Sequence, residues 1–482
     1  MPDDSAAAPF DLPAAAAAAP VVSSRERFRG LIWLVSASFF MQALDSTIVN
    51  TAVPAMADAL GVTPLGMRSA LTSYVLTLAI LIPASPWLCD RFGTRRVFAT
   101  AIATFGIGSL LCGVAQTLPE LVAARVLQGI GGASLMPVGR YVLVRSIDKH
   151  EFVRVMSTVA TFGLLGSVLG PLLGGALVEF TSWRLIFLLN VPVGIAGMWM
   201  NKRDMPDYRL DRAHRFDLLG FLLFATAAAL LLMASELVGA EHVAWAPVGE
   251  YSALAMLLGV IYVWHSRRTA HPVADLALLR VRSVWVALAG NLFTRLGISG
   301  MFLLLVLFLQ VGCGWSPLMA GMMMVPQAFG SISAKWIVNR ALTRLGYRRL
   351  LYGNTLVVAA LLASFALFGR TTPAWVIAVM VFLYGAFGGL QYTAMNTLIY
   401  HDLDIKHASM ASSMASTAQY LSMSFGIALA TLLMESLLQG HAHTDYVVAF
   451  RWTVVILAGV TALASRVFSQ LRPDHPGARR VS

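Results

Sequence analysis

One carboxylate lies deep inside an apolar stretch of this chain. Asp45 follows Phe39-Phe-Met-Gln-Ala-Leu44 and precedes Ser46-Thr-Ile-Val49. The other acidic residues fall between apolar stretches or, like Asp90, Glu236 and Glu435, near their ends. Three basic residues are embedded in the same way: Arg125, Arg295 and Lys335. A charge held in hydrocarbon is costly and needs a partner, a function or an escape to the interface. Asp45 and Arg125 suit one another, and two readings of them stand. In one, a proton on Asp45 releases Arg125 and biases the protein toward a second state. In the other, a fixed ion pair sets helix packing. Arg295 has no acidic residue at its depth and either contacts an anionic group or packs within the protein. Lys335 reads as a side chain that snorkels to the nearer interface.

Other chemistry is sparse. His441, His443 and Asp445, and separately His401, Asp402, Asp404 and His407, are spaced like metal ligands. A structural metal site needs four ligands in closed geometry, and neither short loop is taken as one. Cys89, Cys112 and Cys313 show no pairing pattern and read as small apolar residues. No cofactor is expected. The four lysines, Lys149, Lys202, Lys335 and Lys406, do not form the Gly-Lys-Ser/Thr step of a phosphate-binding loop, which excludes direct ATP use within this chain. No HExxH or Gly-x-Ser-x-Gly motif is present, so an enzyme is not expected.

The elements that carry these residues are membrane spans. Hydrophobic residues make up 58% of the chain and charged residues 12%, about half the charge of a soluble domain. A helix crosses a bilayer with about 20 apolar residues. Fourteen such runs are present, near 30–54, 68–89, 97–116, 119–144, 153–178, 183–201, 217–238, 247–265, 283–311, 317–339, 349–369, 373–399, 407–438 and 446–467. The fold class is therefore an all-α polytopic membrane protein. Residues 1–28 begin with an Ala- and Pro-rich stretch that lacks the pattern of a secretory signal, and they read as a disordered cytoplasmic tail.

Lys and Arg in the loops set the orientation. With the N-terminus in the cytoplasm, only Arg68, Arg184, Arg370 and Arg451 lie outside, and Arg125, Arg295 and Lys335 within the spans; the rest of the 35 basic residues are cytoplasmic. Both termini are then cytoplasmic. This bias accounts for the net charge of +11 without a nucleic acid partner. Asp45 lies about nine residues, roughly 13 Å, from the outer end of its helix, and Arg125 about six residues, roughly 9 Å, from the outer end of its own. The depths overlap, so the two side chains are within reach of one another.

The chain repeats itself. Asp90-Arg-Phe-Gly-Thr-Arg-Arg-Val-Phe98 recurs as Thr343-Arg-Leu-Gly-Tyr-Arg-Arg-Leu-Leu351, an offset of 253 residues, and Gly129 pairs with Gly385 at an offset of 256. Spans one to six and nine to fourteen are thus two related halves, with two spans inserted between them. The divisions are a tail over 1–28, a six-helix bundle over 29–203, an insert over 204–282, a second bundle over 283–470 and a tail over 471–482.

Four segments resemble the motifs of the major facilitator superfamily, in particular its fourteen-helix drug:proton antiporters. They are Leu44-Asp-Ser-Thr-Ile-Val-Asn-Thr-Ala-Val-Pro54, Trp87-Leu-Cys-Asp-Arg-Phe-Gly-Thr-Arg-Arg96, Arg125-Val-Leu-Gln-Gly-Ile-Gly-Gly132 and Gly166-Ser-Val-Leu-Gly-Pro-Leu-Leu-Gly-Gly175. The second begins with Pro86 where the family has glycine. The resemblance implies the major facilitator fold and proton-coupled export of small molecules from a bacterial cell across its inner membrane, by a monomer. Asp45 and Arg125 would couple protons. Asp90, Arg91, Gly93, Arg95 and Arg96 would gate the cytoplasmic side, and Gly166, Gly170, Pro171, Gly174 and Gly175 would seal helix contacts. By analogy with the fold, Gln42, Tyr74, Gln128, Arg295, Gln327 and Asn396 would meet the substrate. The energetics suffice: one charge moving through 100 mV supplies about 2.3 kcal/mol, close to a fifty-fold concentration ratio. Arg295 keeps a second cargo open, an organic anion or metal chelate.

Overall fold

A computed structural model describes residues 24–210, 215–238, 245–270, 272–403, 408–439 and 445–471. The described residues form helices and connecting turns, with no strand among them. In chain order the spans are α1 (Arg29–Leu60), α2 (Arg68–Phe92), α3 (Thr94–Val114), α4 (Leu118–Ser146), α5 (Lys149–Phe180), α6 (Arg184–Asp204), α7 (Leu218–Val238), α8 (Trp245–Ser266) and α9 (Arg282–Gly312). A helical segment, Pro317–Leu367, interrupted at Gly346, follows, then α12 (Ala374–Leu398), α13 (Ala408–Gln439) and α14 (Tyr446–Phe468). The segment changes direction at Gly346, whose φ of 70° is open to glycine alone at little cost. It is therefore two spans, α10 (317–345) and α11 (347–367), which makes fourteen among the described residues. A helical turn, Ser24–Arg27, occupies the end of the expected N-terminal tail.

Local chemistry explains several ends. Thr117 caps α4 by accepting the Glu120 amide, Glu120 Oε2 accepts the Gln116 amide in return, and Pro119 sits in the first turn. Ser316 caps α10 in the same manner, with Pro317 behind it.

The internal repeat survives in the backbone. Gly93 and Gly346, equivalent by the offset, both take positive φ, 88° and 70°, between two spans. Gly129 lies against the Tyr74 carbonyl, and Gly385 lies against that of Gln327, the repeat equivalent of Tyr74. Each glycine lets two helix backbones meet where a Cβ would collide.

Packing divides by depth. At the end away from the termini, one core joins both halves: Leu44, Ile48 and Phe187 share it with Phe308, Phe365 and Phe450. At the end carrying the termini the halves have separate cores, one around Phe98 and Phe105, the other around Leu351 and Phe468. Two long seams join the halves, α5 on α10 and α2 on α13. On the first, Gly175 meets the Pro317 carbonyl, Gly321 meets that of Pro171, and Glu179 Oε2 accepts the Leu318 amide at 3.0 Å. On the second, Ser424 Oγ donates to the Thr72 carbonyl at 3.2 Å. Gln310 of α9 donates to the Thr51 carbonyl of α1 at 3.0 Å. The bundle is thus closed at the end remote from the termini. The inserted α7–α8 pair packs mainly on itself, and α7 lies along the α2–α13 seam through Leu232, Leu76 and Ala428.

Candidate functional site

Asp45 and Arg125 meet. Arg125 Nη1 donates to Asp45 Oδ2 at 2.8 Å, and both residues are buried, 0% and 2% exposed. The pair belongs to a network drawn from four helices. Gln128 Nε2 donates to Asp45 Oδ1 at 2.8 Å and to Ser109 Oγ at 2.6 Å. Asn190 Nδ2 donates to Asp45 Oδ1 at 3.3 Å and to Ser109 Oγ at 3.1 Å. Gln128 Oε1 accepts from Arg125 at 2.6 Å. The guanidinium also donates from Nε to the Ala70 carbonyl and lies over the Tyr74 ring at 4.0 Å. Three N–H donors thus converge on one carboxylate.

Position in the fold explains this convergence. Arg125 and Gln128 are three residues apart on α4 and project from one face. Gly108 of α3 lies against the backbone of Gln128, so Ser109 comes within reach of its amide. Gln128 was expected to face cargo, but its amide is wholly used by this network and it is 0% exposed. Ser109 and Asn190 were not expected. Uncharged polar residues in apolar runs carry little signal of their own.

Tyr74 and Gln42 lie near one another beside the pair. Both are buried, and the Tyr74 hydroxyl and Gln42 Oε1 have no well-formed hydrogen bond to any other described residue. In the other half, Arg295 of α9 is partly exposed. Its Nε donates to Asn291 Oδ1 at 2.6 Å and its Cζ lies 5.0 Å from the Tyr392 ring centre. Among the described residues it forms no ion pair. Tyr420 of α13 lies within Coulombic reach of Arg295 and of Arg140 from α4. Gln327 and Asn396 are partly exposed, and the Gln327 carbonyl accepts from Ser331 Oγ at 3.0 Å. Lys335 is exposed on α10.

The loop between α2 and α3 is bracketed within its own half. Asp90 accepts the Tyr141 hydroxyl of α4 at 2.8 Å. Arg145, one turn further along α4, stacks on Tyr141 at 4.6 Å. The stretch of chain after α6 binds the other side: Thr94 Oγ1 donates to the Pro206 carbonyl, Arg95 Nε to that of Met205, and Asp207 accepts the Arg95 amide. Arg91 and Arg96 are exposed and form no ion pair among the described residues.

The Gly166–Gly175 run faces α1. Gly166 lies against the Phe40 carbonyl, Gly170 against Thr47 and Gly174 against Thr51 and Ile48, while Gly175 and Pro171 reach α10. No metal cluster occurs among the described residues. His401 pairs with Asp402 at 2.9 Å and Asp445 with Arg370 at 2.9 Å; Asp404, His407, His441 and His443 lie outside the described residues.

Comparison with known proteins agrees with this architecture. The family model described as Major Facilitator Superfamily matches residues 35–427. "Putative multidrug resistance protein MdtD" of Klebsiella pneumoniae is 40% identical over 456 residues, covering 94% of this chain and 96% of that one. The protein of the same name in Serratia proteamaculans is 40% identical over 451 residues, covering 92% and 93%. Among solved structures, the POT family transporter PepTSo overlays with a TM-score of 0.67 at 14% identity, covering 92% of this chain and 97% of that one. A D-xylose-proton symporter gives 0.65 at 14% identity, covering 92% and 97%. At that identity the overlay speaks for the fold alone.

Proposed function

This chain belongs to the major facilitator superfamily of membrane transporters, and from that premise we propose that it is a proton-coupled antiporter exporting small molecules across a bacterial inner membrane by alternating access. The observation that carries the proposal is the buried Asp45–Arg125 pair and its network. With both termini cytoplasmic, as the loop charges require, the shared core closes the outer side and the separated cores open the inner one. The described conformation is then inward-facing. One chain supplies both halves of the pathway, so it works as a monomer.

The coupling step follows from the bonds. An ionised Asp45 accepts three N–H groups. A protonated one no longer attracts the guanidinium, which falls back on Gln128 Oε1, the Ala70 carbonyl and the Tyr74 ring. The tie between α1 and α4 weakens, and it lies just below the shared outer core. Cargo entering from the cytoplasm meets the partly exposed Gln327, Asn396 and Arg295, whereas Gln42 and Tyr74 are buried in this conformation and would meet it only after a rearrangement. Asp90 to Arg96 and the Gly166–Gly175 contacts gate and seal the two faces. The MdtD relatives carry multidrug resistance in their name, and hydrophobic or amphipathic drugs are the first cargo class to test.

One observation favours a second cargo. Arg295 lies over Tyr392, Arg140 and Arg295 both act on Tyr420, and among the described residues neither arginine forms an ion pair. That favours an organic anion or its metal chelate.

The test is a reconstitution in liposomes holding a pH dye, with gradients of lipophilic cations, neutral drugs and small carboxylates. Wild type should move protons in response to one class, and Asp45→Asn should abolish that response. Proton movement that survives Asp45→Asn would remove the carboxylate from the coupling role.

A further inference from the structure

Arg68 opens α2 at the outer end and is 5% exposed, held between two carboxylates from different parts of the chain. Its Nε donates to Glu236 Oε2 at 3.0 Å and its Nη2 to the Glu236 carbonyl at 3.1 Å, both on α7 of the insert. Its Nη1 donates to Glu435 on α13 of the second half. Arg68 and Glu435 thus tie the two halves together, while Arg68 and Glu236 tie the first half to the insert. Thr72, one turn along α2, accepts from Ser424 on α13 through its carbonyl, so the seam is already tight beneath the cluster. These three charged groups come from all three elements that meet there. Two carboxylates bind one guanidinium through different N–H groups and share its single positive charge, so removing the charge of one concentrates the attraction on the other.

We propose that Arg68, Glu236 and Glu435 form the outer latch of the transport cycle, and that the inserted hairpin takes part by holding Arg68 when the halves separate. The proposal rests on the alternating-access reading given above. Outward opening must part α2 from α13, which breaks the single Arg68–Glu435 bond. The two bonds to Glu236 remain, so the guanidinium leaves one carboxylate without being stranded, and α7 travels with the first half. The insert contributes no embedded charge to the coupling network. Its role in the cycle is to lower the cost of opening.

This arrangement makes opposite predictions for the two glutamates. Glu435→Gln removes the bond that holds the halves and should favour the open outer side. Glu236→Gln removes the competing charge and keeps only the bond to the backbone carbonyl of residue 236, so Glu435 becomes the one carboxylate on Arg68 and the closed side should be favoured. A cluster that only stabilises the fold would make both substitutions act alike. The experiment places spin labels at Thr63→Cys and Gln439→Cys, exposed positions at the outer ends of the two halves, in a background without the native cysteines. Distances are read by electron–electron resonance in lipid nanodiscs. Glu435→Gln should raise the ratio of long to short distances by roughly tenfold, the order set by one charge-assisted hydrogen bond, and Glu236→Gln should lower it. Shifts in the same direction, or none, would overturn the proposal. Should either glutamine variant not fold, Arg68→Lys supplies the test, since an ammonium lacks the fork that spans two carboxylates and must widen the outer distance. The distances are read without transport, so loss of proton coupling in liposomes with intact opposite shifts would count against the antiport reading and leave the latch standing.

Discussion

Asp45 accepts from Arg125, Gln128 and Asn190 while fully enclosed by protein. Removing one member of such a pair leaves a buried charge alone, at a cost of about 3–5 kcal/mol. Arg125→Ala should therefore lower thermal stability in detergent strongly. The double variant Asp45→Asn/Arg125→Gln, which removes both charges, should lie closer to wild type. If the double variant is the less stable of the two, the network is held together by packing rather than by charge. This site was half legible in the sequence. The depth of two embedded charges brought Asp45 and Arg125 together, because ionised groups in apolar runs are rare and each needs a partner. Ser109, Asn190, Tyr392 and Tyr420 were not legible, since neutral polar and aromatic residues are common in spans and their roles depend on helix rotation. The Arg68 cluster escaped notice for a different reason. Its members lie at helix ends, where charge is ordinary, and only the fold shows that three separate segments end at one point.

At the scale of elements, glycine decides how closely the helices approach. A Cβ at Gly385 would strike the Gln327 carbonyl, and one at Gly170 would strike Thr47 on α1. Gly385→Val should lower the unfolding midpoint by an amount equal to roughly 1–3 kcal/mol, the usual cost of overpacking. Gly353→Val on α11, where a Cβ meets nothing, should change it little. Equal loss at both positions would show that helix propensity, not close packing, sets the effect. Fourteen spans were legible from hydropathy, but the extent of the tenth was not. The loop read between it and the next span holds Arg340, Arg344, Arg348 and Arg349, which are good helix formers, so α10 stays helical up to the break at Gly346.

At the scale of the molecule, one end is shared and the other divided. A membrane-impermeant thiol reagent applied from the side of the termini should label Tyr392→Cys, since that ring is 41% exposed, and should spare Met56→Cys, which is 0% exposed in the common core. The reverse pattern would mean that the described conformation is a minor one in the bilayer. Two related halves with an insert were legible because the loop repeat spans the joint between helices, where spacing is preserved. How the halves lean on one another was not, because a symmetric pair can close at either end and the sequence serves both arrangements.

The two copies have not aged alike. The repeat offsets carry Asp45 onto Ile298 and Gln128 onto Tyr384, and there the Tyr384 hydroxyl donates to the Ile298 carbonyl at 3.2 Å. The second copy has a joint at the equivalent position but no charge in it. The charged network of α1, α4 and α6 thus stands in one half only. If Asp45 and Arg125 couple protons as proposed, residues of the second half can change, and with them the cargo bound, while the coupling pair stays as it is.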